Sequence, residues 1–465
     1  MIITRKGNIV IDNLILATDA YKMTHHLQYP AGLTQLYSYG EARVGGESPT
    51  VSWFGLQSVV AEHLLTLITT AMIDEAEELS ALTFGTTAYF NRDVWERVRD
   101  LGYLPIRIKA LPEGLEVPLG VPLFTLESTE VWFATTLNAL ETVLMHVWYP
   151  TTIATNSLYI KRALAPLFAQ SGTVALLESA VNDFGLRGST SLLSGARGAA
   201  AHLLHFTGTA TLPAQSLLQA IYHGDYGRSI RSSEHSVATA FGAEQGELVY
   251  LRAQLDSAPA DLPVSVVIDS YDTLGFVANV VPVFAEEILA RRGRTIFRPD
   301  SGEPTQVVPA VLAQLAQIFG STVNDKGYRV LNGNIGVMQG DGMNATTIVN
   351  LYKTLMTAGW SVDNLTTGSG GGLLQEGFTR DTQRFAIKAS YAKINGEDVN
   401  LHKQPKTDPT KISKAGRFKV VRIEGQLTTV QVDDLRPDEL RILLENGQFY
   451  PEDWSDILQR AEEFD

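Results

Sequence analysis

Between residues 264 and 375 the chain repeats one grammar: a short apolar run, a cluster of polar or glycine residues, then apolar positions at helical spacing. Residues 264–268 lead into Asp269, Ser270, Tyr271 and Asp272, then a helix-period stretch to about Arg291. Residues 295–297 lead into Arg298-Pro299-Asp300-Ser301-Gly302 and then Val307, Val308, Val311, Leu312 and Leu315. Residues 335–338 lead into Gln339-Gly340-Asp341-Gly342 and then Ile348, Val349, Leu351, Tyr352 and Leu355, and residues 362–365 into Thr367 to Gly372 and then Leu373 and Leu374. A strand followed at once by a helix reaches its next neighbour by a crossover, so consecutive units build a parallel sheet. The expected fold class is α/β, an irregular βα barrel of parallel strands, with an open doubly wound sheet as second choice. Either arrangement gathers polar residues at the C-terminal strand ends.

The hydrophobic period changes near residue 150 and again near 385. Residues 51–82 and 131–149 carry helical spacing, for example Leu64, Leu65, Leu67 and Ile68, while 105–127 alternate like short strands. After 385 the period is two, with Phe385, Ile387, Ala389 and Tyr391 expected on one face and a turn at Asn395-Gly396. The last thirty residues suggest one or two short helices. The expected domains are 1–150 joined with 385–465 as an α+β unit, and 151–384 as the barrel. With 465 residues there is ample length for both cores. The net charge of −14 disfavours nucleic acid, and the absence of cysteine excludes disulfides, thiolate metal sites and thiol nucleophiles. The apolar stretch after Arg5 and Lys6 is interrupted by Asp12 and Asn13, so neither a signal segment nor a membrane span is expected, and the reading is cytoplasmic.

Several constellations could carry chemistry. Seven of the thirteen lysines fall between Lys388 and Lys419, either a solvated loop or a clamp for a small polyphosphate. The run from Gly368 to Gly372 is either a flexible loop or a place where backbone N–H groups meet a phosphate; it is neither a Walker A loop nor a dinucleotide fingerprint. The carboxylate in Gly340-Asp341-Gly342 suits ribose hydroxyls or the water shell of Mg2+, or simply marks a β-turn. Asp269, Asp272, Asp300 and Asp341 close successive strands, where any one alone could be a helix cap. Arg298 stands two residues from Asp300. His235 lies in a Ser-Glu-His-Ser segment, whereas His202 and His205, inside an apolar helix, are expected in the core.

Together these motifs resemble the nicotinamide phosphoribosyltransferase family, within the type II phosphoribosyltransferases. The likeness covers nearly the whole chain: L-A-T-D-A-Y-K-M-T-H at 16–25, W-Y-P-T-T-I-A-T-N-S at 148–157, D-F-G-L-R-G at 183–188, E-H-S at 234–236, P-V-S-V-V-I-D-S-Y-D at 263–272, R-P-D-S-G at 298–302, Q-G-D-G at 339–342, G-S-G-G-G-L-L-Q at 368–375 and T-R-D at 379–381. The resemblance implies a homodimer with active sites shared across the interface, converting nicotinamide and 5-phosphoribosyl-1-pyrophosphate (PRPP) into nicotinamide mononucleotide and pyrophosphate, with Mg2+ as cofactor and ATP as a coupled co-substrate.

It also implies roles. The pyridine ring would stack between Phe184 and Tyr21 of the second subunit, with Arg298 at the amide and Asp300 at the ring edge or a metal-bound water. Asp341 would hold ribose hydroxyls, Gly370 and Gly371 would present backbone N–H groups to the 5′-phosphate, and Gly340 belongs to the same substrate-binding set. Arg187, Arg380, Lys388 and Lys403 would surround phosphate or pyrophosphate, with Asp19, Ser265 and Lys411 completing the substrate-binding set. His235, held by Asp269, would be phosphorylated transiently, and no metal ligand is assigned. Three positions depart from the family pattern: Ala210 stands where an Asp accepts the amide hydrogen bond, Asn182 where a His lies beside the pocket, and Ala386 where a Ser faces phosphate. Ala210 leaves nicotinate, or both bases, as an alternative substrate. A type I phosphoribosyltransferase fits less well, because its loop wants adjacent acidic residues and Asp269 and Asp272 are three apart. A binding protein on the same fold would not need the pyrophosphate apparatus.

Overall fold

The computed structural model describes residues 4–5, 8–9, 13–224, 227–243, 245–404, 406–407 and 413–463. The chain forms two compact units, one from residues 1–155, 219–224 and 378–464 and the other from 156–218 and 225–377. The divisions thus fall a few residues from 150 and 385, and a short internal segment joins the terminal unit.

The second unit is built on seven parallel strands: β1 (Val181–Asp183), β2 (Gly208–Thr209), β3 (Arg231–Ser232), β4 (Val264–Val267), β5 (Thr295–Arg298), β6 (Ile335–Gln339) and β7 (Leu365–Ser369). Their order is β3-β4-β5-β6-β7-β1-β2. The sheet curls until a single parallel bridge, Gly208 to Arg228 just ahead of β3, joins its two edges. The fold is therefore α/β with an irregular parallel barrel, the first of the two arrangements the βα grammar allows. Helix Pro304–Phe319 after β5 buries Val308, Val311, Leu312 and Leu315, and helix Ala345–Thr357 after β6 buries Ile348, Leu351, Tyr352 and Leu355. Asn344 and Thr347 cap the latter reciprocally. The segment Thr273–Ala290 after β4 is long and apolar enough, by composition alone, to cross a membrane. It is broken into α, π and 3-10 turns around Pro282, and it buries Phe276, Val277, Val280, Val281, Phe284 and Ile288.

One expected strand is displaced. Residues 362–364 form a 3-10 turn and β7 begins at Leu365. Asn364 accepts from Leu331 N–H at 2.8 Å and donates to Arg329 O at 2.9 Å, two long-range bonds that outweigh the apolar pattern, and it also donates to the nearby Ser361 O at 2.8 Å. Gly368 and Ser369 consequently belong to the strand rather than to a loop.

The first unit carries a seven-stranded antiparallel sheet in the order Glu397–Asn400, Ala386–Ile394, Leu33–Glu41, Pro122–Ser128, Ile106–Ala110, Arg441–Glu445, Gln448–Phe449. Its core packs Trp53, Phe124 and Phe133 with the helices of residues 56–145. The turn at Asn395-Gly396 has both residues at positive φ, 52° and 84°, joining two strands as expected. One expectation is corrected. A bulge between Ala389 and Tyr391 breaks the alternation, so Ile387 joins the main core while Tyr391 joins Tyr37, Tyr39 and Phe418. Of the one or two short helices expected in the last thirty residues one forms, Trp454–Glu462, while residues 441–449 ahead of it make a hairpin turning at Asn446-Gly447.

Candidate active site

The C-terminal ends of the barrel strands open into one cleft of ≈ 1080 Å³ within the second unit. Phe184 enters it from the turn after β1, with its N–H donated to Ser369 O at 2.9 Å. Its ring lies across Gly368, where a Cβ would sit 2.0 Å from ring atom Cε2, and over Gly340, where it would sit 3.8 Å away. The ring therefore needs glycine at 368, which is why a strand carries one there. Arg187 and Ala210 line the same cleft. Ala210 lies in a turn that is held by its N–H donating to Asp183 O at 2.9 Å.

Arg298, the last residue of β5, donates from Nη2 to Ser233 O at 2.8 Å and places Nε 3.7 Å from Asp300 Oδ2. Nε itself is buried without a hydrogen-bond partner, so this guanidinium has donor capacity to spare. Asp300 comes close to Gly340, where a side chain would crowd its Oδ1. Burial raises the Asp300 carboxyl above the ordinary aspartate value; Arg298 opposes this, Asp269 adds to it, His235 opposes it and Asp341 adds to it. His235 meets Asp269 through Nε2 to Oδ1 at 2.9 Å, with the carboxylate almost wholly buried and the imidazole about half exposed. Ser233 ties this segment to the barrel, accepting from Val267 N–H at 3.0 Å and bonding Tyr250 OH at 2.6 Å.

Phe184, Arg187, Ala210, His235 and Arg298 thus share one cleft with Asp300, Gly340, Asp341, Gly370 and Gly371. Asp272 takes the plainer role, accepting from Gly275 N–H at 3.0 Å as a helix cap. Ser265 lies inside β4, buried, with Oγ unpaired, and does not line the cleft. Asn182 donates to Thr367 O at 3.1 Å and is not at the cleft surface. His202 is buried against Phe206, and burial holds its imidazole below the ordinary value; His205 is buried too. Among the described residues no group of three or more His, Asp or Glu is gathered for a metal ion. The reading from sequence missed Thr211, Ser229, Ile230 and Glu234, which also line the cleft. The two-residue strand β3 beside them is too short for a period to reveal it; the polar run Arg231 to Ser236 was the available signal.

The remaining candidates belong to the first unit. Asp19 accepts from Thr142 Oγ1 at 2.8 Å, and Tyr21 is 59% exposed. Burial lowers the Lys388 amine from its ordinary value; Glu141 opposes this, and Arg43, Lys403 and Arg380 add to it, so these four cations form one basic group. Three other lysines of the cluster are engaged locally: Lys393 lies 3.9 Å from Asp398, Lys414 pairs with Glu41, and Lys419 donates to Asp434 O at 2.8 Å. Ala386 is buried in its strand, and Lys411 lies outside the described residues.

Comparison with known proteins shows the family. Residues 179–435 match the nicotinate phosphoribosyltransferase (NAPRTase) family model, and residues 13–108 the nicotinamide phosphoribosyltransferase N-terminal domain. A nicotinamide phosphoribosyltransferase of Xanthomonas campestris is 39% identical over 456 residues, covering 95% of this chain and 96% of that protein. Another from Acinetobacter baylyi is 30% identical over 480 residues, covering 94% of each. Among solved structures, the nicotinate-nucleotide pyrophosphorylase of Pyrococcus furiosus superposes with TM-score 0.63 at 15% identity, covering 99% of this chain and 98% of that one. The human nicotinic acid phosphoribosyltransferase does so with TM-score 0.60 at 15% identity, covering 96% and 93%, and both share the fold. The chain belongs to the nicotinate phosphoribosyltransferase (NAPRTase) family and, within it, groups with the nicotinamide phosphoribosyltransferases.

Proposed function

We propose that this protein is a pentosyltransferase of NAD salvage, transferring the phosphoribosyl group of PRPP to the ring nitrogen of nicotinamide and releasing pyrophosphate. The observation that carries the reading is the Phe184 ring laid over Gly340 and Gly368 in a cleft that also holds Arg298, Asp300 and Asp341. An aromatic face beside a guanidinium with spare donors suits a flat heterocycle bearing a carboxamide. The names of the relatives and the matched N-terminal domain support the same substrate.

The neutral pyridine nitrogen is already a nucleophile. Breaking the C1′–O bond builds positive charge on the ribose and negative charge on pyrophosphate, so the barrier is lowered by charge placement rather than by a strong base. In this reading Phe184 and Tyr21 of a second copy sandwich the ring, Arg298 orients the amide, and Asp341 holds ribose hydroxyls. Gly370 and Gly371 take the 5′-phosphate, and Arg187, Arg380, Lys388 and Lys403 receive the pyrophosphate. Mg2+ fits the donor set: Asp300 and Asp341 are hard oxygen ligands whose mutual repulsion a cation would relieve, and too few protein ligands converge for a cage without phosphate and water. Bound there, Mg2+ would neutralise charge on the leaving group. His235, with Asp269 at Nε2, is the proposed acceptor of a phosphoryl group from ATP. The homodimer and a cytoplasmic setting belong to the same reading.

A nicotinate-using enzyme is the second reading, favoured by Ala210 at the cleft wall. Incubation with PRPP and either base, with and without ATP, and chromatography of the mononucleotide products test both. Nicotinamide mononucleotide as the dominant product is expected; exclusive formation of the nicotinate product would refute the proposal.

A further inference from the structure

We propose that Asp183 is the positioning residue of the base pocket: from beneath the cleft, its buried carboxylate holds the Phe184 turn and the Thr209–Thr211 turn at the separation that admits one pyridine ring. The assignment rests on reading this cleft as the base site.

Asp183 ends β1 and is 0% exposed. Its Oδ1 accepts the Gly185 N–H at 2.8 Å, closing the turn that carries Phe184. Its Oδ2 accepts two hydroxyls, Thr209 Oγ1 at 2.7 Å and Thr211 Oγ1 at 2.6 Å, and its backbone O accepts the N–H of Ala210 between them. The Thr209 hydroxyl also accepts the Thr211 N–H at 2.9 Å, so the turn is fastened on both sides of Ala210. One residue therefore bridges two cleft walls.

The backbone ladder cannot do this alone. Strand β2 is two residues long, meets β1 through two residue pairs, Asn182 with Gly208 and Asp183 with Thr209, and on its other side bonds the chain at Arg228, with Thr209 N–H donating to Arg228 O at 3.0 Å; none of these contacts reaches Thr211. Phe184 is already fixed on its other side by the glycine floor at Gly368. The width of the pocket then depends on where the 209–211 turn sits, and the Asp183 carboxylate sets that. A neutral amide would not serve, because three side-chain and backbone donors converge on the two carboxylate oxygens and an amide offers only one oxygen.

Steady-state kinetics on the full chain, with nicotinamide and PRPP varied separately, test the assignment. Asp183→Asn leaves one acceptor oxygen for three donors, and Thr209→Val removes one hydroxyl while keeping shape. Each is expected to raise the KM for nicotinamide about tenfold, equivalent to ~1.4 kcal/mol, while the KM for PRPP stays within about twofold. Thr209→Ser, which keeps the hydroxyl, is expected to restore the nicotinamide KM. Should Asp183→Asn fail to fold, the Thr209 pair decides. Equal rises in both KM values, or a lowered melting temperature with neither KM changed, would overturn the assignment. Parental enzyme that forms no mononucleotide from nicotinamide and PRPP would instead refute the reading of the cleft, so the two failures are distinguishable.

Discussion

Ala210→Asp is expected to sharpen discrimination between nicotinamide and nicotinate. The backbone at this position is held by the bond from Ala210 N–H to Asp183 O at 2.9 Å, and the side chain lines the cleft. A carboxylate placed there would accept a hydrogen bond from the carboxamide, and a bond to a charged group contributes about 1.5–3 kcal/mol, roughly ten- to a hundredfold in affinity. It would also repel the carboxylate of nicotinate. Two charges about 4 Å apart interact by ~1 kcal/mol in water and ~4 kcal/mol at an effective dielectric near 20. Residue 210 is exposed in the cleft, so the lower part of that range applies. The ratio of kcat/KM for nicotinamide over nicotinate should therefore rise at least tenfold, roughly the low end of the attractive contribution alone. The assay compares both bases at fixed PRPP on parent and variant, with melting temperature and the KM for PRPP as controls. An unchanged ratio in a folded variant with a parental PRPP KM would show that residue 210 does not face the amide end of the ring.

His235→Ala should abolish ATP-linked enhancement while keeping PRPP-dependent synthesis; phosphorylation of this variant by ATP would sink the assignment. Mixing Tyr21→Ala with Asp300→Ala subunits should restore activity, because each hybrid dimer would contain one site with both residues intact; an inactive mixture despite verified subunit exchange would count against shared sites. In the first unit Glu113 is fully buried, and desolvation pushes its carboxyl up to about 7 against the hydrogen bonds from Gln57 N–H, Gly55 N–H and Tyr222 OH, with Glu452 adding to the rise. The native carboxyl holds its proton above the ordinary value of 4.5, so its contribution is complete below 4.5 and is lost as pH rises towards 7. At ~1.4 kcal/mol per pKa unit the loss is on the order of 3 kcal/mol. Glu113→Gln should flatten that dependence in denaturant titrations from pH 5 to 8, and an unaltered slope would argue against it.

Much of the barrel was legible because its signals are local. The apolar runs ending in Asp269, Arg298-Pro299-Asp300 and Gly340-Asp341, each followed by helical spacing, mark β4, β5 and β6 within a few residues, and strand ends are where the cleft opens. Asn395-Gly396 marks its hairpin for the same reason, since positive φ at both central residues is a property of the dipeptide. Asn446-Gly447 carried the same signal among acidic residues that suggested helix, and went unread.

What the tertiary structure decided are the features that depend on residues far apart in the chain. The onset of β7 follows from Asn364 bonding to Arg329 and Leu331, and the change of face along Ala386–Ile394 from a bulge against its neighbour strand. The strands of two residues, β2 and β3, are too short to show any period and exist because flanking strands offer them partners. Asp183 is the clearest case. Its sequence motif marks it as notable, but its work depends on Gly185, Thr209 and Thr211 meeting one carboxylate, and that convergence exists only once β1 and β2 lie side by side. Periodicity and turn chemistry are written in neighbouring residues, whereas the sharing of one buried acceptor by two segments is a property of the folded packing alone.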